Sequence, residues 1–133
     1  MIDPVAINAV REYLSAIPGL PTIIWPNEAV DISPPFLTFD FGVETGETVT
    51  LDGLERIVWR PVIKSFVEAG TFTAAQDDIL WPIALAFKIN TWISSSGTQY
   101  ALSLRTPEVQ NGANDGVLFS RDLILRLAVN QKL

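Results

Sequence analysis

Apolar positions near the start of the chain recur at the spacing of a helix. Ala6, Val10, Tyr13, Leu14 and Ile17 share one face, Asp3-Pro4 supplies a start, and Pro18-Gly19 supplies a stop. Asp3 can cap exposed N–H groups, and Pro4 sits where its missing donor costs nothing. The spacing predicts a helix over 4–17. The pattern then changes period. Thr22 to Trp25 is a short β-branched run closed by Pro26, and Phe36 to Val43 puts Leu37, Phe39, Phe41 and Val43 on one side. Both runs predict strands, joined by a loop over 27–35 that contains Pro34-Pro35.

The stretch 44–53, ETGETVTLDG, mixes Gly, Thr and acidic residues and predicts a hairpin excursion exposed to solvent or to a partner. Leu54 to Val67 follows as an extended run. Ile57, Trp59, Ile63 and Val67 lie on one face, and Arg56, Arg60 and Lys64 on the other. Pro61 cannot donate to a ladder, so this strand should lie at a sheet edge or carry a bulge. A second helix is expected after Ala69-Gly70. Thr73 and Gln76 have capping-box spacing, Asp77 and Asp78 fall in the first turns, and Ile79, Leu80, Ile83 and Phe87 form a stripe. Pro82 inside that helix predicts a kink or break.

Residues 90–97 read as a loop with β character around Trp92 and Ile93. Gln99 to Arg105 alternates, with Tyr100, Leu102 and Leu104 opposite Ala101, Ser103 and Arg105. Residues 106–116, TPEVQNGANDG, are rich in turn residues and predict a loop. Val117 to Val129 then alternates as one long strand whose only polar intrusion on the apolar side is Arg121. No linker or repeat divides the chain, so residues 1–133 read as a single domain. The order α-β-β-β-α-β-β predicts an α+β fold: a mostly antiparallel or mixed sheet with two helices packed on one face.

Composition narrows the function. Apolar residues make up 48% of the chain and charged residues 18%, enough to build a core and leave apolar surface for partners. The net charge is −6, and the nine basic residues form no run in sequence, which argues against a nucleic-acid ligand. No segment has the roughly 18 consecutive apolar residues of a membrane span, and the N-terminus lacks a basic signal-peptide start. The expectation is a soluble intracellular chain with no membrane partner. With no His and no Cys, Ser-His-Asp, Cys-His and thiolate or imidazole metal sites are excluded. The remaining chemistry is carboxylate chemistry at Asp40, Glu44, Asp77 and Asp78, but adjacent acids in a first helical turn more simply favour the helix dipole. Neither GxGxxG nor GxxxxGK[ST] occurs. Trp25, Trp59, Trp81 and Trp92 sit among Ile, Val and Leu and suit core or interface packing. The expectation is a binding subunit that is not an enzyme, with no cofactor and no metal.

Taken in order, several features resemble the tail terminator (tail completion) proteins of long-tailed bacteriophages and tail-like particles. The resemblance spans nearly the whole chain. Its carriers are the N-terminal helix, Trp25-Pro26-Asn27 leading through Ser33-Pro34-Pro35-Phe36-Leu37-Thr38-Phe39 into a strand, and the acidic Gly-containing loop. A strand from Arg56 to Glu68-Ala69-Gly70, a helix with Ala74-Ala75 ending in Phe87, and a polar loop before the last long strand complete it. Pro82 and the Arg-Ile-Val at Arg56 depart from the family pattern. The resemblance implies a virion protein of the head-tail junction, assembled in the host cytoplasm. Its role would be a homohexameric ring that caps the tail tube, stops its polymerisation and joins it to the head-side connector or stopper. Genomic DNA would pass through an acidic lumen without specific binding. Contact residues are then expected in the two polar loops: Glu44, Thr45, Gly46, Glu47, Thr48, Thr50 and Asp52 in the first, Glu108, Gln110, Asn111, Asn114 and Asp115 in the second. Another connector subunit, a tube subunit, and a small metal-dependent enzyme using carboxylates are the alternative readings.

Overall fold

The computed structural model describes residues 1–29, 31–49, 53–70 and 73–132. In chain order the elements are α1 (Pro4–Ser15), β1 (Ile23–Ile24), β2 (Phe36–Val49), β3 (Leu54–Glu68), α2 (Thr73–Ala86), β4 (Trp92–Ser95), β5 (Thr98–Ser103), β6 (Glu108–Asn114), β7 (Leu118–Ile124) and β8 (Leu127–Lys132). The fold is α+β, with two helices on one face of a curled, mostly antiparallel sheet. Helix α1 starts as its sequence dictates: the Asp3 carboxylate accepts from the Val5 N–H at 2.9 Å, and Pro4 occupies the first turn. It ends at Ser15, two residues before the expected stop, because Ile17 N–H bonds to Leu14 O in a tighter last turn.

Strand β3 organises the sheet. One edge pairs with β2; the other pairs with β8 from Leu54 to Trp59 and with β7 from Val62 to Glu68. From there the sheet divides, running through β8 to β5 and β4 on one branch and through β7 to β6 on the other. The alternation of β3 is as expected: Ile57, Trp59, Ile63 and Val67 are all buried. Pro61 sits in an interior strand, not an edge. A bulge satisfies it instead, since β2 jumps from Asp40 opposite Val62 to Val43 opposite Arg60. On the other side, β7 gives way to β8 at the same level, and the Pro61 carbonyl accepts from Leu125 N–H at 3.0 Å. The bulge is pinned by Trp59 Nε1, which donates to Phe41 O at 2.6 Å, and by Asp40, which accepts from Gly42 N–H at 2.9 Å. Gly42 has φ +63, and a Cβ there would collide with the Arg60 carbonyl, so no other residue fits without movement. Past this bulge the expected apolar face is lost: Leu37 and Phe39 are buried, but Phe41 and Val43 are exposed.

Both helices share one core with the sheet. Ala6, Val10 and Leu14 of α1 and Leu80 and Ile83 of α2, with Phe87 just beyond it, pack with Leu37, Phe39, Ile57, Trp59, Ile63, Leu123, Leu125, Leu127 and Val129. Tyr13 ties the helices together, its hydroxyl donating to Ala86 O at 2.7 Å and its ring meeting Phe87 edge-on at 5.1 Å. Burial of Tyr13 raises its phenol above the usual value.

Three expectations for this side of the sheet are corrected. Helix α2 runs through Pro82 without the expected break; Pro82 offers no N–H to the carbonyl of Asp78, an exposed residue. Gln76 makes no capping box. It is fully buried, and its amide donates to Ser65 O at 3.2 Å and Phe119 O at 3.0 Å, tying α2 to β3 and β7. Strand β5 alternates as expected, with Ala101 and Ser103 buried and Tyr100 and Leu102 half-buried, its small side chains lying where the strand passes the end of α2. There the Ser103 hydroxyl donates to Phe87 O at 2.7 Å. The expected single strand 117–129 is two strands, β7 and β8, that keep the same buried parity through Leu125.

Candidate interaction surfaces

The first expected loop is largely strand. Thr45, Gly46, Thr48 and Val49 pair with Val58, Ile57, Arg56 and Glu55, with a second irregularity between Gly46 and Thr48. The β-branched Thr and Val residues suit such a ladder despite the glycines. Glu44, Thr45 and Gly46 are exposed, and Glu44 Oε2 lies 3.8 Å from the N-terminal amine. Glu47 and Thr48 fall within β2, whereas Thr50 and Asp52 lie outside the described residues.

The second expected loop also contains a strand. Glu108, Gln110, Asn111 and Asn114 lie on β6, opposite Ile124, Asp122, Arg121 and Phe119 of β7, and are all exposed. Composition misleads here because Asn111-Gly112 marks a bulge between Asn111 and Asn114, not a turn. At that bulge Ser120 Oγ accepts from Ala113 N–H at 2.9 Å. The real turn follows at Asp115, whose carboxylate accepts from Val117 N–H at 2.9 Å and Leu118 N–H at 2.7 Å. The Leu118 and Val117 hydrogen bonds hold this carboxyl below its ordinary value.

These two hairpins are not brought together. The β2–β3 hairpin closes at Leu54, the first residue of β3, and the β6–β7 turn lies beside Glu68, its last, which pairs with Leu118. At ~3.3 Å per residue, the length of β3 separates the two closing ends by up to about 45 Å.

Two features escape a linear reading. A groove of about 510 Å³ runs between α2 and the chain entering β6, lined by Asp77, Asp78, Trp81, Pro82, Pro107 and Val109 among others. Trp81 is 64% exposed, and Leu85 and Ile89, further along the same helix and just past its end, are 50% exposed. Of the other tryptophans, Trp59 is core, Trp25 is half-buried beneath Arg11 at 4.7 Å, and Trp92 is exposed. The second feature is a recess of about 260 Å³ lined by Arg60, Arg105 and Arg126 from three separate parts of the chain, with Glu108 and Gln110 also at its wall. Three of the nine basic residues, which form no run in sequence, thus line one recess. The exposed groove carried a signal, a bulky aromatic facing away from the apolar stripe of its helix; the arginine recess carried none.

The four acidic residues considered for chemistry are divided between elements, Asp40 and Glu44 on β2 and Asp77 and Asp78 on α2. Asp77 is paired with Arg121 at 2.8 Å, which accounts for the polar intrusion on the apolar side of β7. Among the described residues, no three acidic side chains converge on one point. Among the described residues, no helix is long and apolar enough to cross a membrane.

No family model matches the chain, and no curated protein matches it either. Twenty chains of solved structures do match. One, whose name carries no functional word, aligns with a TM-score of 0.63 at 14% identity over 100% of this chain and 99% of its own. Likeness at that identity shows a shared fold and nothing about activity.

Proposed function

We propose that the chain is a structural subunit of a homohexameric ring that caps a phage tail tube, stops its polymerisation and joins it to the head-side connector. The observation that carries this reading is that the β2–β3 and β6–β7 hairpins close at opposite ends of β3. A terminator needs two unlike faces, one that satisfies the growing end of the tube and one that offers no site for another tube ring. A subunit whose hairpins point to opposite ends meets that need. The groove at Trp81 supports the lateral contact: an aromatic 64% exposed beside Pro107 and Val109 is the kind of anchor that subunit interfaces bury. Nothing in capping or joining requires a catalyst.

The partners under this reading are the chain itself, the tube protein and the head-side connector, with DNA passing through the lumen unbound. Negative-stain electron microscopy of the purified protein tests it. Closed rings of one diameter are expected, whereas open-ended tubes would assign the chain to the tube and refute capping.

A further inference from the structure

In a chain with nine basic and fifteen acidic residues, three arginines lining one small recess call for an explanation. Arg60 projects from β3 beside the bulge, Arg105 follows β5, and Arg126 lies in the break between β7 and β8. Among the described residues none of the three is in an ion pair. Glu108 shares the wall without reaching any of them, and Arg126 Nε is buried with no hydrogen-bond partner. The backbones beneath them are fixed: Arg126 O accepts from Leu104 N–H at 2.9 Å, and Arg105 O accepts from Ser103 Oγ at 3.1 Å. Three guanidinium groups lining one recess repel one another, and an anion between them relieves that repulsion. Their planar forks match the paired oxygens of an oxyanion.

We propose that this recess is an oxyanion-binding site whose occupant is a side-chain carboxylate from a second copy of the chain. With three arginines against one glutamate the recess is net positive and attracts a carboxylate or a phosphate; the carboxylate is favoured by its source, the acidic surface of a second copy. Each copy carries a net charge of −6, so its surface offers such carboxylates and needs a positive site to meet them. The proposal rests on the reading of the chain as a self-assembling subunit only for the source of the carboxylate; the site itself does not depend on it.

Inorganic phosphate at low ionic strength is the probe, followed through the arginine Nε–Hε signals by NMR. Saturable movement of the Arg60, Arg105 and Arg126 signals is expected, with affinity at least about tenfold weaker in an Arg60→Gln/Arg105→Gln variant. Both positions are exposed, and an unchanged amide spectrum elsewhere verifies that the variant is folded. Sedimentation velocity then compares the two proteins: the wild type should self-associate, phosphate should weaken that association, and the variant should lack it. No saturable movement, or equal movement in the variant, overturns the site whatever the oligomeric state. Saturable binding in a wild type that never self-associates, or in a variant that self-associates normally, overturns the second copy as the source.

Discussion

At the scale of single residues, two glycines with positive φ separate backbone strain from steric clash. Gly116 has φ +87 and open space around a would-be Cβ, whereas Gly42 has φ +63 and the Arg60 carbonyl in the way. Gly116→Ala should therefore cost only about 1 kcal/mol of strain, and Gly42→Ala should cost more than about 3 kcal/mol, because the bulge opposite Pro61 must open. Urea unfolding of the two variants checks the order. Asp115 sets a pH dependence of known sign. Its carboxylate is held below the ordinary value by the Leu118 and Val117 N–H groups, so its stabilisation is complete above the unfolded value near 3.8 and is lost as pH falls through the lower folded value. The stability gap between wild type and Asp115→Ala should be full at neutral pH and close in that acid window, as read from thermal unfolding across pH. Tyr13 acts in the opposite range: its raised phenol pKa means that its contribution is present below pH about 10 and is lost as pH rises through the folded value.

At the scale of elements, the exposed side of α2 is the part most open to test. Trp81 touches the groove and not the core, so Trp81→Ala should leave the unfolding midpoint nearly unchanged while weakening self-association, as sedimentation velocity would show. Equal assembly in the variant would remove this groove from the lateral contact. The elements also show which features a sequence discloses. Strand β3 was legible because alternation is local, and Pro61 announced its bulge because a missing donor has few accommodations. Strand β6 was not, because Asn111-Gly112 and Asp115-Gly116 read alike in sequence while only the second makes a turn; β7 decides between them. Gln76 looked like a cap because Thr73 precedes it by three, but the carbonyls that claim its amide belong to strands distant in the chain.

At the scale of the whole molecule, the fold class was legible and the surface was not. The helical and alternating stripes predict an α+β domain with both helices on one face, and the sheet around β3 has that form. The candidate contact residues were found as two polar segments, yet that the turns of their hairpins lie at opposite ends of one strand depends on how β3 shares its second edge between β7 and β8. The arginine recess depends on the same division, since Arg126 lies where one strand yields to the other. The proposed ring would use the two ends of β3, the exposed aromatic groove on α2 and the positive recess as its contacts. Native mass spectrometry of the purified protein over a range of concentrations tests that claim most directly. The account predicts a discrete assembly of six 14.6 kDa chains with no larger species; a monomer at every concentration, or an open-ended ladder of sizes, would contradict it.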